Sequence, residues 1–211
     1  KKIASKNKPY ILATGASSSD EVYEAVKAGL EINNKLCLMQ CNTNYTANLE
    51  NFKYINLNVL NTYKSMFPNI ILGLSDHTPG HSTVLGAIAL GARMIEKHFT
   101  DDNNRDGPDH LFSMNPNSWK EMVSRSRELE LSLGCGVKKI ENNEKETVIV
   151  QRRSLVARKN INKGDKIHEI DIKIVRPCPE DSLIPNQLNN LIDQIAKRDI
   201  EEDTHFYLND L

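Results

Sequence analysis

Short apolar runs alternate with stretches of helical spacing through the first part of the chain. Tyr10-Ile11-Leu12-Ala13-Thr14-Gly15, Leu36-Cys37-Leu38-Met39-Gln40, Ile70-Ile71-Leu72-Gly73-Leu74 and Met94-Ile95 each read as a short buried strand. Between the first two, the hydroxyls Ser17, Ser18 and Ser19 followed by Asp20 and Glu21 predict a capped helix start, with Val22, Ala25, Val26 and Leu30 as its apolar stripe. Phe52, Ile55, Val59, Tyr63 and Met66 share one face of a predicted long helix, broken at Pro68-Asn69. Ser82 to Ala92 predicts a small-residue helix, and Pro116 stands just inside one that carries Trp119, Met122 and Val123. Strand and helix in this order predict βαβ units and a parallel sheet, and the strands read as apolar on both faces, as under helical cover. In such sheets, ligands bind beyond the carboxyl ends of the strands. Gly15, the loop from Asn42 to Tyr45, His77 and His98 all fall there.

The pattern breaks over 134–150, which is rich in Gly, Lys, Glu and Asn and reads as a linker between a domain at 1–133 and one at 151–211. From Arg152 the segments are short, namely Ser154 to Ala157, Ile161 to Ile167, Asp171 to Pro177 and Leu188 to Ile200. They predict a turn-rich β domain with one short helix. Ile161-Asn162-Lys163-Gly164-Asp165 and Ile200-Glu201-Glu202-Asp203-Thr204 form a weak internal echo.

Composition narrows the function classes. The 211 residues are enough to bury a core, and 39% hydrophobic with 26% charged residues is ordinary for a globular protein. A net charge of −1 gives no reason to expect nucleic acid or an anionic membrane as a partner. No apolar run is long enough to cross a bilayer, and Lys1-Lys2-Ile3-Ala4-Ser5 does not read as a signal peptide. Cys37, Cys41, Cys135 and Cys178 form no CxxC pair, which points to a reduced, cytoplasmic setting.

The candidate chemistry centres on His77 and His98, two imidazoles at the ends of consecutive strands. Either the pair holds a divalent metal and leaves positions open for substrate, or each ring is a hydrogen-bonded histidine at a strand end. Strand alternation puts Ser75 and His77 on one face and Asp76 on the other, and it puts Glu96 with His98. Ser75 could donate to an anion, and Glu96 could orient a histidine or bind substrate. Asp76 and Glu96 could equally cap loops or pair with Lys97 or Arg93. Thr14-Gly15 with the serines behind it suits an anion at a helix N-terminus, though capping explains it as well. Asn42-Thr43-Asn44-Tyr45 offers amides, a hydroxyl and a phenol for a sugar. Arg105 to Asp109 could carry a substrate-binding carboxylate or be a surface turn. Arg176 could be an anion clamp or a solvated charge.

Ala13-Thr14-Gly15, Gly73-Leu74-Ser75-Asp76-His77, Glu96-Lys97-His98-Phe99-Thr100, Gly107-Pro108-Asp109 and Arg152-Arg153-Ser154-Leu155-Val156-Ala157, in this order, resemble the sialic acid synthase family. That family includes N-acetylneuraminate, legionaminate and pseudaminate synthases, and the resemblance covers nearly the whole chain. It implies an α/β fold: the C-terminal half of a (βα)8 TIM barrel, then a small β-rich antifreeze-like (SAF, β-clip) domain. The implied reaction condenses phosphoenolpyruvate with an open-chain N-acetylated amino sugar to a nine-carbon 2-keto-3-deoxy acid and phosphate. The implied cofactor is a divalent metal, usually Mn2+, with Mg2+ or Co2+ as alternatives, held by His77 and His98. His77, His98 and Glu96 are implied as catalytic. Ser75 would contact phosphoenolpyruvate, Tyr45 and Asp109 match sugar-contacting positions, and Thr14, Asn42, Thr43 and Asn44 belong to the substrate loops. Arg176 matches an arginine delivered from the other subunit of a domain-swapped homodimer.

Departures from the family pattern carry further expectations. Ala13 stands where serine is common, and Cys178 follows Arg176-Pro177 in place of glycine. The loop Asn42-Thr43-Asn44-Tyr45-Thr46 resembles that of legionaminate-type members, and so favours 2,4-diacetamido-2,4,6-trideoxy-mannose as substrate over the precursors of N-acetylneuraminate or pseudaminate. Lys1 aligns with the end of the family's fourth barrel unit, so the chain reads as the C-terminal part of a longer enzyme, inactive alone. A noncatalytic sugar- or ice-binding fragment is the rival from another class.

Overall fold

The computed structural model of the chain describes residues 1–211. It divides into two compact units, Lys1–Gly136 and Val137–Leu211.

In the first unit the predicted strands form one parallel sheet. Its strands are β1 (Tyr10–Ala13), β2 (Leu36–Cys41), β3 (Ile71–Asp76) and β4 (Met94–Lys97), lying side by side in chain order. The connecting helices are α1 (Ser19–Leu30), α2 (Val59–Met66) and α3 (Ser82–Ala89). Crossovers between parallel strands share one hand, so an unreversed strand order returns each helix to the same side. The core shows this: Leu36, Leu38, Leu72 and Leu74 pack with Val22 and Val26 of α1, Leu60 and Tyr63 of α2, and Ala87 of α3. The opposite face leaves Ile11, Ile71 and Met94 exposed. The expectation of helical cover on both faces is therefore corrected; helices lie on one face of this half-barrel sheet, and the inner face is exposed along Ile11, Ile71 and Met94.

The local signals act largely as read. Ser18 caps α1 and forms a reciprocal pair with Glu21. Helix α4 (Pro116–Leu133) starts with its proline in the first turn behind the cap Asn115, and packs on α3 through Val84, Ile88 and Met122. The long helix predicted from Phe52 to Met66 is two pieces, a 3-10 segment Leu49–Tyr54 and then α2. Asn56 separates them at φ +48°, a left-handed conformation that asparagine tolerates better than most residues.

In the second unit, β5 (Ser154–Ala157) pairs antiparallel with β6 (Ile172–Val175), and α6 (Leu188–Leu191) is the one short helix after them. Leu155, Ile167, Leu183, Leu191, Ile200 and Phe206 lie in the core. The echoed segments meet, with Ile161 and Ile200 exchanging both backbone hydrogen bonds. The stretch 134–150 is not bare linker. It contains a 3-10 turn, Asn142–Glu144, and the start of α5 (Lys145–Gln151), whose Ile149 carbonyl accepts from Cys178 N–H.

Candidate active site

The register of β3 and β4 sets Ser75 opposite Glu96 and Asp76 opposite Lys97, and one residue further brings the chain to His77 and His98. Alternation divides these residues between the two faces of the sheet. On the uncovered face, Ser75 Oγ donates to Glu96 Oε1 at 2.9 Å. Cys41 continues the row on β2, in register with Ser75, and burial pushes its thiol pKa up. On the helix side, Lys97 Nζ lies 2.5 Å from Asp76 Oδ2, with both side chains buried.

The two histidine rings lie edge to face, with centroids 5.2 Å apart. His77 is buried, and its Nδ1 lies 2.8 Å from the backbone oxygen of Asn42. A carbonyl has no proton to give, so Nδ1 carries one, and Nε2 of the neutral ring keeps its lone pair. His98 Nδ1 is 3.6 Å from Asp109 Oδ2, too long for a hydrogen bond. The Tyr45 ring sits 4.1 Å from that of His77 and 5.6 Å from that of His98. Phe112, 2% exposed, closes the cluster at 5.1 Å from His98. It gets there because the loop after β4 folds back on itself, with Met114 N–H donating to His98 O and Thr100 N–H to Met114 O.

Beside this cluster lies a polar cavity of about 560 Å³, lined among others by Thr14, Ser17, Gln40, Asn42, Thr43 and Asn44. Much of the hydrogen-bonding capacity here is spent within the protein. Thr14 Oγ1 donates to Met39 O, Asn42 Nδ2 to Tyr54 O and Asn44 Nδ2 to Asn51 Oδ1. Thr43 packs so close to Gly15 that a β-carbon there would stand 2.1 Å from Thr43 Cγ2, which explains the glycine.

Six of the residues singled out from the sequence thus converge: His77, His98, Ser75, Glu96, Tyr45 and Asp109. Thr14, Asn42, Thr43 and Asn44 line the neighbouring cavity, and the Asn42 carbonyl links it to His77. Arg176 belongs to the second unit, where it is exposed after β6; Ser154 Oγ donates to the carbonyl of Pro177 next to it and accepts from His205 Nδ1. Two contributors were missed by the sequence reading. Phe112 left only a faint signal, an apolar pair with Leu111 inside a polar loop. The Asn42 carbonyl, being backbone, left none.

No three or more His, Cys, Asp or Glu side chains gather as a metal-binding group. His77 and His98 are the two side chains here that could hold a cation, and a pair of imidazoles would suit a borderline divalent ion that takes its other ligands from water or substrate.

Residues 1–138 match the NeuB family, and residues 152–211 match the SAF domain. The chain is 41% identical over 212 aligned residues to an uncharacterised protein of Methanocaldococcus jannaschii, covering all of this chain and 61% of that protein. It is 36% identical to the N,N'-diacetyllegionaminic acid synthase of Campylobacter jejuni, covering 96% of this chain and 60% of the synthase. Among solved structures, the spore coat polysaccharide biosynthesis protein SpsE of Bacillus subtilis superposes with a TM-score of 0.57 at 31% identity, over 99% of this chain and 62% of that one. The chain thus spans about three fifths of the length of these relatives.

Proposed function

Because the chain belongs to the NeuB family and carries a SAF domain, we propose that it serves a synthase joining phosphoenolpyruvate to an open-chain N-acetylated amino sugar. The enol carbon of phosphoenolpyruvate forms a bond to the sugar aldehyde carbon as the aldehyde C=O π bond opens, and the aldehyde oxygen takes up a proton that the water of the next step gives up. Water adds to the oxocarbenium carbon left behind, and the bond to phosphate oxygen breaks, releasing phosphate and a nine-carbon 2-keto-3-deoxy acid.

The observation that carries this reading is the meeting of His77 and His98, 5.2 Å between ring centroids, beside the Ser75–Glu96 pair. His77 and His98 would hold a divalent cation, Mn2+ in preference to Mg2+ or Co2+. When bound, it supplies Lewis-acid polarisation of the aldehyde. Asn42 O holds His77 in the tautomer that leaves Nε2 free, and the Asp109 carboxylate lies 3.6 Å from His98 Nδ1. The Ser75 hydroxyl donates its hydrogen bond to Glu96, so it must turn from that carboxylate to donate to phosphoenolpyruvate. Glu96 holds the serine until then. Tyr45 and Asp109 face the sugar, and Thr14, Asn42, Thr43 and Asn44 form the wall beside it. Arg176 is assigned to the sugar from the second protomer of a swapped homodimer.

The Asn42-Thr43-Asn44-Tyr45-Thr46 loop, together with the likeness to a diacetyllegionaminic acid synthase, supports 2,4-diacetamido-2,4,6-trideoxy-mannose as the acceptor. The precursors of N-acetylneuraminate and pseudaminate are the alternatives. The test is phosphate release by the whole protein with Mn2+, phosphoenolpyruvate and a panel of N-acylated hexoses. Release is expected with the diacetamido sugar and is lost in His77→Ala and His98→Ala proteins that remain folded. Normal turnover in either variant would remove the histidine pair from the reaction.

A further inference from the structure

On the helix side of the sheet, directly beneath the two histidines, lies a buried charged network that the reaction above does not use. Lys97 Nζ is 2.5 Å from Asp76 Oδ2 and 2.6 Å from the Thr78 carbonyl oxygen, and the two charged side chains are 1% and 0% exposed. The carboxylate also accepts from Thr78 N–H at 3.2 Å, from Thr78 Oγ1 at 2.9 Å and from Thr83 Oγ1 at 2.6 Å. Asp76 and Lys97 point away from the face that carries Ser75 and Glu96, so neither faces a substrate bound there. An apolar pair of the same volume often holds two strands together as well as a buried ion pair, so a buried pair is weak evidence of a purely stabilising role. Stability alone therefore gives little reason for two charges at this place.

The network's partners do give one. His77 stands between Asp76 and Thr78, and Thr78 is gripped by Asp76 through its N–H and hydroxyl and by Lys97 through its carbonyl. His98 is the residue after Lys97. Each histidine thus follows one member of a bonded pair, and the turn that leaves His77 is clamped to both. Thr83 adds the first turn of α3 to the same carboxylate. We infer that Asp76, Lys97 and Thr78 are positioning residues: they set the His77 backbone so that its Nδ1 reaches Asn42 O, and they hold the two rings at one spacing. The inference rests on the proposed role of those rings as cation ligands.

The test uses the whole protein carrying Asp76→Asn with Lys97→Met, which keeps the volumes and removes both charges together. Three quantities are read: cooperative thermal unfolding, the His77 tautomer by 15N NMR above neutral pH, and Mn2+ affinity by titration. The expected result is a folded variant in which His77 loses its fixed Nδ1–H form and the Mn2+ dissociation constant rises about 10- to 100-fold, the usual cost of losing an outer partner of a metal ligand. A folded variant with an unchanged tautomer and unchanged affinity overturns the inference. Should the unaltered protein bind Mn2+ no better than His77→Ala, the cation reading fails, and the tautomer measurement alone decides positioning. Should the double variant not fold, Thr78→Val keeps both charges and is read in the same way, with Thr78→Ser expected to restore the fixed tautomer.

Discussion

Ser75 and Glu96 face one another across β3 and β4, and the serine hydroxyl donates to the carboxylate at 2.9 Å. The serine has a single proton to give, so it can bond the carboxylate or an incoming anion but not both. Ser75→Ala is expected to raise the KM for phosphoenolpyruvate about tenfold, the order of one hydrogen bond to a charged group, with little change in melting temperature. Steady-state kinetics on the whole protein check this, and an unaltered KM would take Ser75 out of the anion site.

Gly73 lies two residues before Ser75, in register with Met39 of β2 and Met94 of β4. A β-carbon there would stand 2.7 Å from the Met94 carbonyl oxygen and 2.9 Å from Met39 Cγ. The methionine can move; the backbone oxygen of the neighbouring strand cannot without shifting β4. Gly73→Ala is expected to destabilise the first unit by about 1–3 kcal/mol, as overpacking does. Urea unfolding followed by Trp119 fluorescence measures it.

His205 gives the second unit a pH dependence. Burial lowers its pKa below the ordinary histidine value while Nδ1 engages Ser154 Oγ. In the unfolded chain it takes up a proton near pH 6.5, before the folded chain does, so the unfolded state binds more protons there. Stability from this group is complete above that pH and is lost as pH falls toward the lowered folded value. His205→Gln is expected to flatten the slope of melting temperature below about pH 6.5. An identical slope in the variant would assign the pH dependence to other groups.

The thiols should differ sharply in reactivity. Cys135 is exposed, whereas Cys37, Cys41 and Cys178 are buried. Burial pushes the Cys37 thiol up to about 11 and raises that of Cys41, so neither forms much thiolate at neutral pH. Alkylation of the native chain followed by peptide mass analysis is expected to mark Cys135 first and the other three only in denaturant. Rapid labelling of Cys37 would mean that β2 opens to solvent.

The sequence by itself determined the elements whose signals are local: the strand runs, the hydroxyl cap among Ser17 to Ser19, Pro116 at a helix start, and the alternation that pairs Ser75 with His77 and Glu96 with His98. These follow from side-chain period and from hydrogen bonds a few residues long, so a one-dimensional pattern carries them. It also placed both histidines at strand ends, because each stands just past a short apolar run, with two polar residues between. Only the tertiary structure decided what lies across the gaps between segments. The Asn42 carbonyl is 35 positions from His77 and is backbone, so no residue type announces that it sets the tautomer. Phe112 reaches His98 only because the loop after β4 pairs back on Met114. Asn56 splits the helix that periodicity made continuous, since apolar spacing does not register one left-handed residue. Which face the helices cover depends on strand order and crossover hand. Those are properties of the assembled sheet, and they leave Ile11, Ile71 and Met94 exposed although their own residue types argue for burial.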